Sequence, residues 1–592
     1  MINENFIKVL YIDLTNKKVK IDMREDLRKY LGGVGVATRL LEENMRADKE
    51  PLDPEQPIIF AIGAVSSVLP VMTKTVAMFI SPLTGELGES YAGGRLAYTL
   101  FNAGFDAVVI TGKAQKLSYI VITDTNVEIK DARSFAGIGA ESVGQFIRTV
   151  EGGSGKRSII RIGPAGEKMS KIANVNVDTY RHFGRLGLGA CFGSKNLKAI
   201  QVTAGDSTRP VPDLKKYFAT YRELYDKVTN TTLMSKYHDL GTSINVKVLN
   251  KIGALPTRNL QQTEYEHVEE ISGEMFAEKN LVRKVACVGC PIGCIHIGQV
   301  RRQFAEGYDY ESFNVSYDYE LISAFGSLIG IDNTDDILEL ISEAEEIGFD
   351  VISGGCCLAW ATEAYLRGVI TDAETQMPLK FGDKDTYVKV LRKMGEAKTD
   401  FYRSLANGVS EVTEKYGGAD FGLQIARNEM PQYHTGYGSI VGYVCGARHS
   451  HLDNGGYSLD QKFKDQEFNK DVLIDNIFKE EVNRNIINSA IACLFARSVY
   501  DNATILKAFA ALGVEMTEAE LAETAERIYA SKLRIKRRLG FNECDVVVPK
   551  RILETEGMKR KIDPEIVKEL VLMFYNKNQQ LMEKYKEEEI KA

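Results

Sequence analysis

Three cysteines lie within eight residues near the middle of the chain, at Cys287, Cys290 and Cys294. Pro291 and Gly293 between them disfavour a regular helix, so the three thiols can converge on one point. Three thiolates and a fourth from elsewhere are the ligand set of a [4Fe–4S] cluster or of a structural zinc ion.

Cys493, about two hundred residues further on, is the candidate fourth ligand. A zinc ribbon places its second cysteine pair within about twenty residues of the first, and no such pair follows here. The spacing favours an iron–sulfur cluster, with zinc and reduced core cysteines as the alternatives.

The chain has 592 residues, of which 44% are hydrophobic and 26% charged, and a formal net charge of −7. Such a composition is typical of a globular protein of several domains and argues against a general nucleic-acid binder. The longest apolar run, 58–72, is interrupted by glycine, serine and proline, so no membrane span is expected. No terminal segment resembles an export signal, and nine cysteines, most of them in apolar segments, indicate a reducing compartment. We predict a cytoplasmic protein.

The elements that must position these thiols fall into three predicted domains, residues 1–207, 208–412 and 413–592. The first is predicted to be β-rich, because short alternating segments recur between glycine, proline and aspartate. The other two are predicted to be mainly helical, with clear helical periodicity at 214–228 and 334–347. The expected fold class is therefore α+β.

Further residues could bind or react. Two glycine-rich loops that carry arginine, 91–95 and 181–189, suit phosphate, although turn glycines and solvated arginines more often explain such loops. Glu320 stands at the start of a predicted apolar helix and is a candidate site residue. The alternative is a charge that only stabilises the start of the helix. The glycine- and tyrosine-rich segment 430–457 holds three of the seven histidines. No Walker or Rossmann motif stands in its proper context, so no nucleotide site is predicted.

Six segments of the sequence carry a family resemblance. They are 81–85, 103–114, 161–167, 193–200, 287–294 and 493–495. With these motifs the chain resembles, along nearly its full length, the tungsten-pterin aldehyde ferredoxin oxidoreductases. The resemblance implies an N-terminal double β-sheet base closed by two helical domains.

The resemblance also implies cofactors and a reaction. One tungsten, or molybdenum, would be held by two molybdopterins, Mg²⁺ would link the pterin phosphates, and Cys287, Cys290, Cys294 and Cys493 would ligate a [4Fe–4S] cluster. The implied reaction is two-electron oxidation of an aldehyde to a carboxylate, or the reverse, with ferredoxin as electron partner. Glu320 would handle the proton, and His451 (or else His449) would hydrogen-bond the substrate oxygen, whereas Glu311 is a decoy.

The family's cofactor-binding positions carry over one by one. Lys74 would bridge cluster and pterin, and Arg181, His182 and Arg185 would form the phosphate loop. The full implied set is Lys74, Tyr91, Gly93, Gly94, Arg95, Arg181, His182, Gly184, Arg185, Glu345, Phe349, Asp350 and Asn488.

Several positions depart from the family pattern. Tyr91 stands where an asparagine carbonyl would meet the magnesium. The first pterin motif, 345–350, is conservative, whereas the second, 488–493, has lost its acid, glycine and leucine. The family's dimer motif, Glu-x-x-His, has Glu339 at its first position but Ser342 in place of the histidine, so the family homodimer is in doubt. A histidine expected near Ser439 is also absent.

These departures keep an alternative open: a tungstopterin subunit of a larger assembly, of the electron-bifurcating or aryl-CoA reductase type, with NAD or flavin subunits. A cluster-bearing scaffold without tungsten is the non-enzymatic alternative. In each case a ferredoxin-like iron–sulfur partner is expected, within a homo- or hetero-oligomer. The face of this chain on which that partner is predicted to dock comprises Arg283, Lys284, Arg301 and Arg302.

Overall fold

The computed structural model describes residues 6–63, 65–205, 211–232, 234–307 and 309–588. The predicted boundary at 207/208 lies outside these ranges. Within them, no helix combines the length and apolarity needed to cross a bilayer.

Two six-stranded sheets form the base of the molecule. Their strands are β1 Ile7–Asp13, β2 Lys18–Arg24, β3 Ile58–Ala61, β4 Thr75–Ile80, β5 Leu87–Ala92, β6 Ala107–Thr111, β7 Ser118–Ile122, β8 Val127–Asp131, β9 Arg157–Arg161, β10 Val175–Val177, β11 Arg181–Phe183 and β12 Leu197–Thr203. The order is β2-β1-β6-β3-β4-β5 in one sheet and β11-β10-β9-β12-β7-β8 in the other. Only the pairs β1–β6 and β7–β12 are parallel. Every residue of β3 and β4 is buried, so the first sheet is covered on both faces there.

The base carries five helices, and most of the remaining chain is helical. The helices are α1 Gly33–Asn44, α2 Leu96–Asn102, α3 Ala140–Val150, α4 Pro164–Glu167, α5 Leu188–Ser194, α6 Leu214–Thr229, α7 Asn245–Lys251, α8 Gly273–Lys279, α9 Tyr319–Phe325, α10 Thr334–Ile347, α11 Val351–Leu366, α12 Asp372–Thr375, α13 Lys384–Glu396, α14 Asp400–Leu405, α15 Val409–Tyr416, α16 Tyr437–Cys445, α17 His451–Asn454, α18 Gly456–Lys462, α19 Lys470–Ala490, α20 Asn502–Ala510, α21 Glu518–Arg538, α22 Lys550–Glu554 and α23 Pro564–Lys584.

The second predicted domain also contains a small sheet that helical periodicity did not reveal. Its antiparallel strands are β13 Leu281–Val285, β14 Ile295–Gln303 and β15 Tyr310–Tyr317. A further pair, β16 Gln424–Ile425 and β17 Asn428–Glu429, lies in the third. The α+β fold class is confirmed.

The third predicted domain does not pack by itself. Helices α19 and α21 pack against α1, and their apolar residues share one core with the first sheet. A second core joins the helices from α9 to α16 with α23. The site lies where these parts meet, so its geometry depends on all of them.

Candidate cofactor and catalytic site

A cavity of about 330 Å³ lies between the sheet base and the helical part. Most of the predicted site residues line it, from all three predicted domains. Those residues are Lys74, Tyr91, Arg181, Gly184, Arg185, Cys287, Cys290, Cys294, Glu320, Asp350, His451, Asn488 and Cys493.

The cysteine motif forms the connection between β13 and β14. The backbone of Val71, in a turn with a φ of 67°, joins it to the fourth cysteine. The Val71 N–H donates to the Gly289 carbonyl (3.1 Å), and the Val71 carbonyl accepts from the Cys493 N–H (3.2 Å). Among the described residues, no three histidine, cysteine or acidic side chains are grouped to hold a single metal ion. The four thiols line a cavity instead, an arrangement that suits a group larger than one ion.

Positive charge surrounds Cys287. Burial alone would raise the pKa of this thiol, but Lys74, Arg181 and the Gly94 N–H, which donates to Sγ over 3.2 Å, together lower it. Burial raises the pKa of Cys290 to about 12 and that of Cys294 to about 11. Metal binding would therefore displace protons from these two thiols.

Gly93 is required by close packing. A Cβ atom built there would lie 2.5 Å from Cys287 Sγ and 3.3 Å from Lys74 Nζ. Any side chain would push the thiol out of place. Arg95, by contrast, is exposed and does not line the cavity, although its backbone N–H donates to Asp178 (2.9 Å).

Two of the arginines that line the cavity, Arg181 and Arg185, retain unused donors. Arg185 donates through Nε to Asp350 (3.2 Å) and through Nη2 to the Glu429 carbonyl (2.6 Å). Its Nη1 and the Nε of Arg181 are buried without hydrogen-bond partners among the described residues. Buried free donors of this kind fit an anionic group such as phosphate.

The first pterin motif forms the corner between α10 and α11. Gly348 ends α10 with a φ of 90°, and Asp350 caps α11 by accepting from the Ile352 and Ser353 N–H groups. Phe349 is buried behind the corner. At the second motif Ile491 takes the same place after α19 with a φ of 61°, a strained conformation for a β-branched residue.

Glu345 and His182 lie 3.5 Å apart behind the cavity. Burial raises the pKa of Glu345 to about 8, and burial with nearby Arg181 lowers that of His182 to about 3. Both groups are therefore mainly uncharged at neutral pH. Glu345 Oε1 and His182 Nε2 have no hydrogen-bond partners among the described residues, as expected if a polar ligand forms hydrogen bonds with these two atoms.

Glu320 stands at the first turn of α9 and faces His451. Its Oε1 accepts from the Tyr433 hydroxyl (2.7 Å) and lies 3.2 Å from His451 Nε2. Burial opposes ionisation of Glu320, but the hydrogen bonds from His451 and Tyr433 outweigh it and lower its pKa. Burial lowers the pKa of His451. A neutral His451 thus donates through Nε2, and its buried Nδ1, unpartnered among the described residues, can accept.

The alternative histidine has a structural role. His449 is buried against Glu86 (2.9 Å from Nε2), Lys536 and the Tyr443 carbonyl (2.7 Å from Nδ1), and it does not line the cavity. The structure brings His451, and not His449, to Glu320. Glu311 lies on β15, away from the cavity, and accepts from Arg302 (2.9 Å).

Sequence reasoning missed two residues of this constellation. Tyr433 is the hydroxyl donor to Glu320, and Asp318 lines the cavity while capping α9. Burial, with Glu320 beside it, raises the pKa of Asp318 to about 7. The only sequence signal was the Tyr-Asp-Tyr-Glu run, in which Asp318 reads as an ordinary helix cap.

The remaining predicted contacts differ in outcome. Tyr91 lines the cavity but its hydroxyl donates to Glu89 (2.6 Å). Glu339 pairs with Arg302 (2.6 Å) and Lys384 (3.0 Å) of its own chain. Within the predicted docking face, Arg302 is thus paired inside the chain, whereas Arg283 and Lys284 form no ion pair with any described residue.

The fold and the cavity define a class: a protein with a cavity lined by thiols and arginines between a sheet base and a helical cover. Comparison with known proteins makes the class specific. Residues 9–204 match the family model "Aldehyde ferredoxin oxidoreductase, N-terminal domain", and residues 219–579 match "Aldehyde ferredoxin oxidoreductase, domains 2 & 3".

Individual relatives agree. The chain is 32% identical over 571 residues to a tungsten-containing aldehyde ferredoxin oxidoreductase of Pyrococcus furiosus, covering 93% of this chain and 92% of the relative. It is 31% identical over 426 residues to an aliphatic sulfonate oxidoreductase, WOR-like subunit, of the same organism, covering 69% and 67% of the two chains. The solved active-site complex BamBC of benzoyl coenzyme A reductase shares the fold, with a TM-score of 0.81 at 20% identity and 99% coverage of both chains.

The chain belongs to the tungsten-containing aldehyde ferredoxin oxidoreductase family. It is an oxidoreductase for which the family implies a tungstopterin, and the free donors of the cavity fit such a group.

Proposed function

We propose that the protein oxidises an aldehyde to a carboxylate at a tungsten (or molybdenum) bis-pterin and passes electrons through a [4Fe–4S] cluster to a ferredoxin-type acceptor. The observation that carries the proposal is the Glu320–His451 pair, with Tyr433 hydrogen-bonded behind it, on the wall of the cavity that four thiols and unpartnered arginine donors line.

Each part of the cavity would have its own task. Cys287, Cys290, Cys294 and Cys493 would hold the cluster. Arg181 and Arg185 would bind the pterin phosphates, which Mg²⁺ would link, and Glu345, Asp350 and Asn488 would bind pterin amines. The bound metal supplies two-electron redox chemistry.

The protein's own groups would handle the proton. His451 Nδ1 can accept a hydrogen bond from the hydrated aldehyde, because Nε2 already donates to ionised Glu320. Glu320 then stabilises positive charge that develops on the imidazole, and Tyr433 keeps the carboxylate in place. Asp318, close to its protonation midpoint at neutral pH, can exchange the proton onward.

The test is purification of the holoenzyme, followed by metal analysis and aldehyde-dependent reduction of a viologen dye. We expect about one tungsten or molybdenum and about four iron atoms and four sulfides per chain. Zinc in place of iron, or an enzyme loaded with tungsten that draws no electrons from any aldehyde, would refute the proposal.

A second candidate is the catalytic subunit of a larger redox assembly. The observation in its favour is that Glu339 is already paired within the chain and Ser342 replaces the histidine of the dimer motif. Stable co-purification of iron–sulfur or NAD-binding subunits from the organism that encodes the protein would support it.

A further inference from the structure

A smaller cavity of about 130 Å³ shares Glu320 and His451 with the cofactor cavity. Three cationic side chains, Lys236, Arg484 and Arg497, line it. The proposed reaction at the carbonyl assigns no role to them. Glu320 is the only acidic side chain in the lining, and it is already hydrogen-bonded to Tyr433 and His451.

The three cations are poorly neutralised. Among the described residues, no carboxylate pairs with Lys236 or Arg497. Arg497 donates through Nη1 to the Leu494 carbonyl (2.9 Å). The Arg484 side chain is only 10% exposed and has one weak acidic partner, Glu480 at 3.4 Å, which is itself 46% exposed. Lys236 and Arg497 are exposed, and the buried Arg484 also donates to the Leu452 carbonyl over 2.7 Å. Three like charges on one wall give it a positive potential that attracts an anion.

The cations stand on ordered segments. Lys236 lies in a π-helical segment, Met234–Leu240, a rare conformation that often occurs at functional sites. Its neighbour Tyr237 stacks on Phe495, with ring centroids 4.2 Å apart and planes at 4°. Arg497 lies two residues after Phe495 in the sequence. The aromatic pair offers an apolar wall between the cations, where a short carbon chain can lie.

We propose that this smaller cavity binds an anionic group at the far end of the substrate, a carboxylate, phosphate or sulfonate on a short carbon chain. The proposal rests on the function proposed above, because the reacting aldehyde would lie at Glu320. The cavity has room for about four water molecules at ~30 Å³ each, so the chain between the two groups must be short. Arginine and lysine recognise such anions through charge-assisted hydrogen bonds.

Matched substrates test the assignment in the holoenzyme. Succinate semialdehyde and butanal differ only in a terminal carboxylate or methyl group. We expect kcat/KM to favour succinate semialdehyde by about tenfold or more, which corresponds to about 1.4 kcal/mol. In the double variant Lys236→Gln/Arg497→Gln this ratio should fall about tenfold. Arg222→Gln, an exposed position on α6 outside both cavities, is the matched control.

Calorimetric titration gives a second readout that does not need turnover. Succinate should bind more tightly than butanoate, and the double variant should lose this difference while keeping its tungsten content. Titration with 3-phosphonopropanoate and 3-sulfopropanoate then ranks the three anions.

The outcomes separate the two proposals. Loss of succinate binding in the variant, in a holoenzyme that oxidises no aldehyde, would support the anion site and refute the aldehyde reaction. Equal use of both aldehydes, or equal succinate binding by wild type and variant, would overturn the anion site and leave the aldehyde reaction standing.

Discussion

Glu320 is ionised because of its neighbours, since burial opposes its charge and two hydrogen bonds restore it. Glu320→Gln keeps the shape but can neither take up a proton nor stabilise a charged His451. We expect kcat to fall by about 10²- to 10⁴-fold with the tungsten content unchanged.

The matched control is Glu311→Gln, on β15 and away from the cavity, which should retain activity. Wild-type turnover in Glu320→Gln, measured with the same aldehyde and dye, would show that Glu320 serves only as a charge at the start of the helix.

Glu345 makes a pH-dependent contribution to stability in the cofactor-free protein. Its folded pKa, about 8, lies above the ordinary value of 4.5, so the folded state binds more protons than the unfolded state between these values. The contribution to stability is therefore lost as pH rises from about 4.5 through about 8.

Gln at position 345 cannot titrate. Relative to wild type, Glu345→Gln should gain roughly 4 kcal/mol of unfolding free energy between pH 5 and pH 9. Denaturant titrations at both pH values measure it, with the exposed Glu278→Gln on α8 as control. A constant difference at the two pH values would show that Glu345 does not titrate in this window.

At the scale of elements, the small sheet β13–β15 presents the cysteine loop to the surface. Arg283 and Lys284 lie on β13, close in sequence to Cys287, beside the exposed Val282. An acidic ferredoxin-like partner would meet these cations with a short path to the thiols.

Charge reversal tests this docking face. Arg283→Glu/Lys284→Glu should slow electron transfer to ferredoxin and remove much of its salt dependence, because exposed charges are screened over roughly 10 Å at 0.1 M salt. Stopped-flow ferredoxin reduction measures both. The control is Lys17→Glu/Lys18→Glu, two exposed positions at the β2 edge of the first sheet. Equal slowing by both double variants would place the partner elsewhere.

At the scale of the whole molecule, the four thiols join separate parts of the chain. Cys287, Cys290 and Cys294 lie in a sheet connection of the second predicted domain, and Cys493 follows α19, which packs in the core of the first sheet. A bound cluster would therefore link parts that otherwise meet by packing alone.

Cys493→Ser should lower the melting temperature of the holoenzyme by several degrees and reduce its iron content. The exposed Cys544→Ser should change neither. If calorimetry shows equal melting temperatures for Cys493→Ser and wild type, the cluster does not hold these parts together.

Local sequence determined the features that depend on neighbours along the chain. Short alternating segments predicted the β-rich first domain, and the helical period of 334–347 matched α10 to the residue. The cysteine spacing also predicted that three thiols lie close together, because only eight residues hold all three.

Tertiary structure decided what depends on contacts between distant segments. Only packing shows that His451 rather than His449 reaches Glu320, that Tyr433 completes the group, and that Arg302 is already paired while Arg283 is free of described acids. The β13–β15 sheet was missed because its strands are half exposed and lack a clear apolar alternation. Such outcomes arise from side chains that lie apart in sequence, 113 residues for Tyr433 and Glu320 and 37 for Arg302 and Glu339, and no local pattern contains their proximity.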